Sequence, residues 1–436
     1  MGHRQTVACE TKAGRVVTYR RAMRKSSRNA RLYLVSAGVM GFTVFGGIYS
    51  LLRSLYLLRL GYGPEFVGLV SGVALLGWAL ACLPAGAIGR RLGSRRAMIL
   101  GLGLATLGFV LWPLAELIPT GGQAAWLVLI YLFSDVAIAM YDVNSSPFLM
   151  DATTPEERDY VFSAMAALWP IAGFLGSLIG GLLPVAFAAL LHTTTQDPAT
   201  FRYPLLLAGA SLCVGVVALY LSDESRPAAN PAQDGQTAAN ALVAAPYRIM
   251  AFLGVVVLLI GMGEGATRTF FAVYLDAELH TPTVFIGTLT AIGQLLAVPA
   301  ALVMPLAAAS WGHRRVFLWG SVGMAASLLP LALIPHWAAA GLSYMAMIAL
   351  VSLTRPAVSV YQMGIVPVAW RPTMSGVYTM ALGLSWSAIS LSGGFMIAAL
   401  GYPAFFLASA AITGAGAALF GLRQGAIAEP HPAPAS

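Results

Sequence analysis

Leu92-Gly93-Ser94-Arg95-Arg96-Ala97-Met98-Ile99-Leu100-Gly101 follows one long apolar run, and Trp311-Gly312-His313-Arg314-Arg315-Val316-Phe317-Leu318-Trp319-Gly320 follows another, 219 residues later. Each stretch places a glycine, a polar residue and two arginines where apolar sequence stops and restarts. Recurrence at a fixed spacing is the mark of an internal repeat. Tyr141 aligns with Tyr361 at an offset of 220, and Arg158 with Arg371 and Gly180-Gly181 with Gly393-Gly394 at 213. Two halves of common origin explain the pattern.

Working outward, apolar runs divided by Gly, Pro and charge predict spans at 32–58, 64–88, 95–115, 123–147, 159–187 and 202–222. A second set follows at 249–275, 283–308, 314–335, 338–366, 372–399 and 402–422. Residues 223–246, rich in Pro, Ala and Asn, read as a linker between an N-terminal bundle (32–222) and a C-terminal bundle (247–422). Basic residues crowd the tail 1–31, and a short tail 423–436 closes the chain.

Of the 436 residues, 58% are hydrophobic and 10% charged, against roughly 25% charged in ordinary soluble domains. A soluble globule of this composition could not cover its surface. At about 20 apolar residues per transmembrane helix, the length holds a dozen spans and no large soluble catalytic domain.

The net charge of +8 is not the mark of a nucleic-acid binder, because nine of the 25 basic residues fall in the first 31 positions. The apolar run after them is longer than the 7–15 residues typical of a cleaved signal, so it reads as a permanent span, with Met23 a second candidate start. With the N-terminus inside, 20 Lys and Arg lie on the cytoplasmic side, two outside (Arg59, Arg202) and three within spans (Arg53, Arg268, Arg355). That imbalance puts both termini in the cytoplasm of a cell or inner membrane. Cys9, Cys82 and Cys213 have no metal-ligand spacing and read as free thiols.

Gly86-Ala87-Ile88-Gly89-Arg90-Arg91-Leu92-Gly93-Ser94-Arg95 resembles the loop signature G-x-L-a-D-R-x-G-R-R of the major facilitator superfamily. Asp151-Ala152-Thr153-Thr154-Pro155-Glu156-Glu157-Arg158 resembles that family's loop after helix four, and Leu55-Tyr56-Leu57-Leu58-Arg59-Leu60-Gly61-Tyr62 the end of its first helix. The resemblance covers residues 31–422, within the efflux and sugar-permease-like group of bacteria. It implies an all-α membrane protein of twelve helices in two six-helix pseudo-repeats, working by alternating access. It also implies cytoplasmic gate loops carrying Gly86, Arg90, Arg91, Gly93, Arg95, Gly312, Arg314, Arg158 and Arg371. The family's loop Asp is Arg90 here, which implies a differently wired inner gate. Proton-driven drug antiporters tend to carry G-P-x-x-G-G in helix five and an Arg in helix four. This chain has Gly176-Ser177-Leu178-Ile179-Gly180-Gly181 and Tyr131, and close helix packing is the plainer reading of those glycines.

Six charged residues stand out inside spans, away from their first and last turns: Arg53, Asp135, Asp142, Glu264, Arg268 and Arg355. A charge at mid-membrane costs about 2.5–3.5 kcal/mol on insertion scales, so it faces a cavity or a partner. These lie on spans one, four, seven and ten, which the resemblance makes the lining of a central cavity. The arginines suit an anionic substrate group. The carboxylates suit cations or protons, since a low-dielectric site favours the neutral acid. Glu264, deepest in its span, ranks first as proton carrier and Asp135 second. The plain alternative is mutual pairing, Glu264 with Arg268 at i and i+4 and an aspartate with Arg355. Tyr49, Ser50, Tyr141, Asn144, Tyr361 and Gln362 would complete the cavity, each also at home in packing. Trp169 and Trp386 read as packing residues.

No phosphate-binding loop with Lys is present, since the two lysines are Lys12 and Lys25, and the six histidines fall in loops or tails. ATP hydrolysis and intramembrane enzyme chemistry are therefore not expected, nor is a metal or cofactor. The expected function is secondary transport by a monomer, most simply proton-coupled efflux of a drug-like or metabolite substrate. The alternatives are uptake or facilitated diffusion of an organic anion or sugar, and a non-transporting receptor or assembly factor on the same fold.

Overall fold

The computed structural model describes residues 28–223, 246–367 and 370–423. The tail before Arg28, most of the linker and the end of the C-terminal tail lie outside the described residues, as does the side chain of Arg158. Every regular element among the described residues is helical: α1 (Arg28–Thr43), α2 (Ile48–Arg59), α3 (Pro64–Leu92), α4 (Ser94–Leu111), α5 (Thr120–Ala152), α6 (Pro155–Leu191) and α7 (Ala199–Tyr220) in the first half. The second half has α8 (Tyr247–Ala277), α9 (Thr283–Trp311), α10 (His313–Leu333), α11 (Trp337–Ile365) and α12 (Arg371–Leu422), and a 3₁₀ turn (Trp112–Leu117) extends α4.

α12 is 52 residues long. Straight, it would reach about 78 Å, more than twice the roughly 30 Å of a bilayer core. Gly401 (φ 80°, ψ 170°) interrupts it and makes two spans, at the boundary predicted between 399 and 402. With α1 and α2 as two parts of one span, the described helices form twelve spans in all. Several outrun the predicted runs: α5 continues to Ala152 and α6 to Leu191, through residues that are themselves mostly apolar.

The repeat is visible in the backbone. Gly93 joins α3 to α4 with φ 88° and ψ 143°, and Gly312 joins α9 to α10 with φ 78° and ψ 150°. Each donates its N–H to the last turn of the preceding helix, Gly93 to Gly89 and Gly312 to Ala308, both at 2.9 Å. Positive φ is what glycine alone adopts without steric cost, so the same residue ends the same helix in both halves.

The first span is not continuous, contrary to the predicted run 32–58. It breaks between Thr43 and Ile48, where Gly46 takes φ 79°. Unpaired backbone is costly at membrane depth, and here side chains from within the protein satisfy it. The Ser50 hydroxyl accepts from Gly46 N–H (3.0 Å) and donates to Val44 O (2.5 Å), and Ser177 on α6 donates to Gly46 O (2.5 Å). Gly176 on α6 lets the two backbones approach, since a Cβ there would fall onto the Phe42 carbonyl. The serine that replaces the antiporter proline at 177 thus has a visible task.

The halves meet along two seams, α3 against the first part of α12 and α6 against α9. On the face away from the termini both are tight. A Cβ on Gly181 would lie 3.0 Å from the Gly287 Cα, and Ser387 on α12 donates to Gly72 O on α3 at 2.8 Å. Towards the termini the seams open: Gly376 has open space around it, and Leu83, Leu306 and Met380 are exposed.

The turn glycines yield a clean test. Gly312 has nothing within 4 Å of where a Cβ would stand, so Gly312→Ala adds backbone strain without a clash. It should cost about 1–3 kcal/mol, because φ 78° with ψ 150° is reached almost only by glycine, lowering the melting temperature of the detergent-solubilised protein by a few degrees.

Candidate functional site

The six charged residues divide into two clusters, one in each half. In the C-terminal half, Glu264 on α8 accepts from Arg268 Nε at 2.6 Å and from Arg355 Nη2 on α11 at 2.8 and 3.0 Å. One turn of helix brings Arg268 onto the Glu264 face, and packing of α11 on α8 supplies the second guanidinium. Glu264 is buried while the Arg268 side chain keeps 35% of its surface exposed. The Trp386 ring on α12 backs both arginines, with guanidinium carbons 5.9 Å (Arg268) and 5.2 Å (Arg355) from its centroid. A small cavity of about 30 Å³ lies beside Glu264 and Arg355, lined also by Ile260, Thr354 and Tyr378.

In the N-terminal half, Arg53 on α2 donates to the Tyr131 hydroxyl on α5 and to the Ser71 hydroxyl on α3 (3.1 Å). Its guanidinium carbon stands 4.7 Å from the Tyr131 ring centroid. Tyr131 occupies the place where antiporters tend to have an arginine, so it serves the arginine supplied by the first span. Asp135, one turn on from Tyr131, makes no ion pair among the described residues. Asp142 accepts from Trp78 Nε1 on α3 at 3.1 Å, and its other carboxylate oxygen is buried with no hydrogen-bond partner among the described residues.

The structure thus gathers Glu264, Arg268 and Arg355 into one triad and leaves both aspartates apart from Arg355. The predicted polar lining scatters. Tyr49 is buried inside the N-terminal half, donating to the Phe109 carbonyl and packed on Trp112. Tyr141 meets Ser36 (3.3 Å) in the same core. Both rings point away from the space between the halves, because one turn of α2 or α5 presents opposite faces to cavity and core. Asn144 ties α5 to α3 through Ala85 O at 3.3 Å. Tyr361 packs edge-on against Phe420, and Gln362 is buried with its Oε1 unpartnered among the described residues.

The loop residues work mostly within their own halves. Arg95 donates to Leu219 O (3.2 Å) and Tyr220 O (2.6 Å) at the end of α7. Its repeat mate Arg314 stands over Phe420 in the last span, 6.0 Å from the centroid. Arg371 donates to Met363 O at 2.9 Å, near the end of α11. Arg90 and Arg91 are exposed and make no ion pair among the described residues.

The sequence reading missed the strongest contact between the halves. Arg59 at the end of α2 makes a two-pronged pair with Asp276 at the end of α8, Nη1 to Oδ2 at 2.7 Å and Nη2 to Oδ1 at 2.6 Å, and its Nε donates to Thr195 O at 3.2 Å. The two side chains are 10% and 9% exposed. They stand beside a vestibule of about 520 Å³ lined by Thr195, Gln196, His280 and Thr281. The available signal was the repeat: Arg59 and Asp276 lie 217 residues apart, at matching ends of matching helices.

With this geometry in view, the relatives can be named. The pattern of the Major Facilitator Superfamily matches residues 34–255 and 253–435. The chain belongs to that superfamily. No curated protein matches it by sequence. Among solved structures it is similar to a D-xylose-proton symporter (16% identity, TM-score 0.71, 92% of this chain and 98% of that one) and to the nucleoside transporter NupG (14%, 0.70, 90% and 98%). It is also similar to a bacterial homologue of the human lysosomal transporter Spinster in an inward-facing, unoccupied conformation (14%, 0.70, 94% and 97%). At such identities the likeness speaks for the superfamily fold.

Removing one partner of a buried charge pair costs about 3–5 kcal/mol. Arg59→Ala or Asp276→Ala should therefore open the far face, read as increased reaction of a cysteine placed at Thr281, buried beside the pair, with an impermeant maleimide. The exchange Arg59→Asp with Asp276→Arg should restore protection.

Proposed function

We propose that this superfamily member is a secondary active transporter that carries a small molecule across the cell membrane by alternating access, driven by protons and most simply in the direction of efflux. The observation that carries the reading is the contrast between the two faces: an ion pair and two tight seams on one, parted helices on the other, and uncompensated polar groups between. Rocking the halves about the midplane would exchange the open face. With the termini in the cytoplasm, as the Lys and Arg distribution supports, the structure is inward-facing, and the Arg59–Asp276 pair is its outer gate.

Proton coupling draws support from the N-terminal cluster. Glu264 is held charged by two guanidinium groups, which suits a fixed anion that positions Arg268 and Arg355. Asp135 and Asp142 have no such partner at salt-bridge distance, so their protonation is the cheaper event, and the coupling role passes from Glu264 to them. Arg90 in place of the usual acid leaves the inner latch without a carboxylate at that position. A drug-like substrate fits the apolar helices with Trp386, Phe45 and Trp169 among them.

One observation favours a second reading. A single carboxylate serves both Arg268 and Arg355, whose side chains are 35% and 39% exposed, so the C-terminal wall carries one surplus positive charge. That wall suits the carboxylate or phosphate of an organic anion, taken up or exported.

Purified protein in liposomes, with an imposed pH gradient and a panel of cationic dyes, sugars and organic acids, tests both readings. Gradient-driven transport should fall at least tenfold in Asp135→Asn or Asp142→Asn. If both variants keep the gradient response, proton coupling through these residues is wrong. Arg268→Ala should abolish organic-acid transport and spare cationic dyes if the anion reading holds.

A further inference from the structure

Trp78 lies at the point where two structural facts meet. Its indole N–H is bonded to Asp142 on α5 (3.1 Å), and its ring lies against the other half of the protein. A Cβ on Gly383 of α12 would stand 3.3 Å from the Trp78 ring and 2.7 Å from the Ala79 Cβ. From the far face inwards, the α3–α12 seam runs through Glu65 and Gly394, Gly68 and Ser390, Gly72 and Leu391, and reaches Trp78 and Gly383. One turn further on, the seam has ended: Leu83 and Met380 are exposed, and Gly376 has no neighbour within 4 Å of a Cβ. Trp78 therefore marks the line along which α3 and α12 part.

Asp142 is built unequally. One oxygen holds Trp78, and the other is buried without a hydrogen-bond partner among the described residues. A buried carboxylate oxygen left bare is costly when charged, and a proton on that oxygen removes the charge. The groups that face Asp142 do not offset it: Cys82 and Trp78 on α3, Tyr33 on α1, and Tyr141 and Asp135 on its own helix. Among the described residues the neighbouring cation is Arg53, which Tyr131 and Ser71 hold and which lies near Asp135.

We infer that Asp142 is the carboxylate whose protonation drives the rocking of the halves, and that Trp78 is the positioning residue that transmits it to the α3–α12 seam. The inference rests on the proton-coupled reading above. With Asp142 charged, the bond to the indole is charge-assisted, and such bonds are about twice as strong as neutral ones. It holds Trp78 against Gly383 and keeps the halves parted on the terminal side. A proton from the open cavity, added to the bare oxygen, leaves a neutral acid and weakens the hold. Trp78 is then free to shift, so α3 and α12 can close below it or part again; in the efflux cycle a proton taken up at the other face is released here, and the recharged Asp142 holds the parted form.

The test needs no known substrate. Full-length protein with Cys9→Ala, Cys82→Ala and Cys213→Ala carries spin labels on cysteines placed at Leu83 and Met380, in liposomes of stated lipid composition, and the label distance is measured from pH 5 to pH 9. We expect the ratio of parted to closed forms to rise with pH by up to about tenfold per unit around its midpoint, as one coupled proton requires. Asp142→Asn should make the ratio flat. Trp78→Phe, which keeps the ring and loses the donor, should cut the pH-driven change about tenfold. Gly383→Ala presses on the same ring without touching Asp142, so it should displace the ratio equally at every pH. The inference falls if Asp142→Asn keeps the pH response while Asp135→Asn loses it, or if Trp78→Phe merely displaces the ratio as Gly383→Ala does. The proton-coupled reading itself falls if the unsubstituted protein ignores pH or answers only to sodium at constant pH.

Discussion

Hydrocarbon offers a polar or charged group no partner, so each one this chain places at membrane depth must be met by another part of the protein. The break in the first span is possible because Ser50 and Ser177 satisfy the carbonyls and amide it frees. Glu264 is buried because Arg268 and Arg355 reach it from two helices. Arg59 and Asp276 neutralise each other between the two halves. The demand is left unmet at the second oxygen of Asp142, which has no hydrogen-bond partner among the described residues, and there we propose that a proton acts.

Small residues decide where the halves touch. Glycines at 68, 72, 181, 287, 383 and 394 bring backbones together along the two seams. Association inside a membrane depends on such close packing, because the lipid is as apolar as the helices. Seams in which a large side chain such as Leu391 or Trp78 rests on a glycine across the gap would suit two bundles that separate on one face and then on the other, as the proposed alternating access requires. The charged pair at the far face adds a specific bond to a surface that is otherwise only close-fitting.

The twelve-helix, two-half architecture was legible in the sequence, since apolar length and the 219-residue repeat depend on solvent and ancestry alone. The same holds for Gly93 and Gly312, where the pattern identified matching turns before their φ angles were seen. The site was legible only in part. An unusual charge in a span announces itself, so the six intramembrane charges could be named from the chain alone, and the Glu264–Arg268 contact followed from helical periodicity. Tyr49 and Tyr141 were misplaced because residue type does not say which face of a buried helix a ring occupies. Arg59 and Asp276 went unpaired because each sits at a helix end, where a charge is unremarkable.

By itself, then, the sequence determined the membrane class, the number of spans, the repeat and the inventory of buried charges, because those follow from the cost of transferring residues into lipid. Only the tertiary structure decided which charges are paired, which face is sealed and where the helices part at Trp78. Those depend on the rotation of each helix about its axis and on contacts between residues far apart in the chain, and local composition carries no record of either.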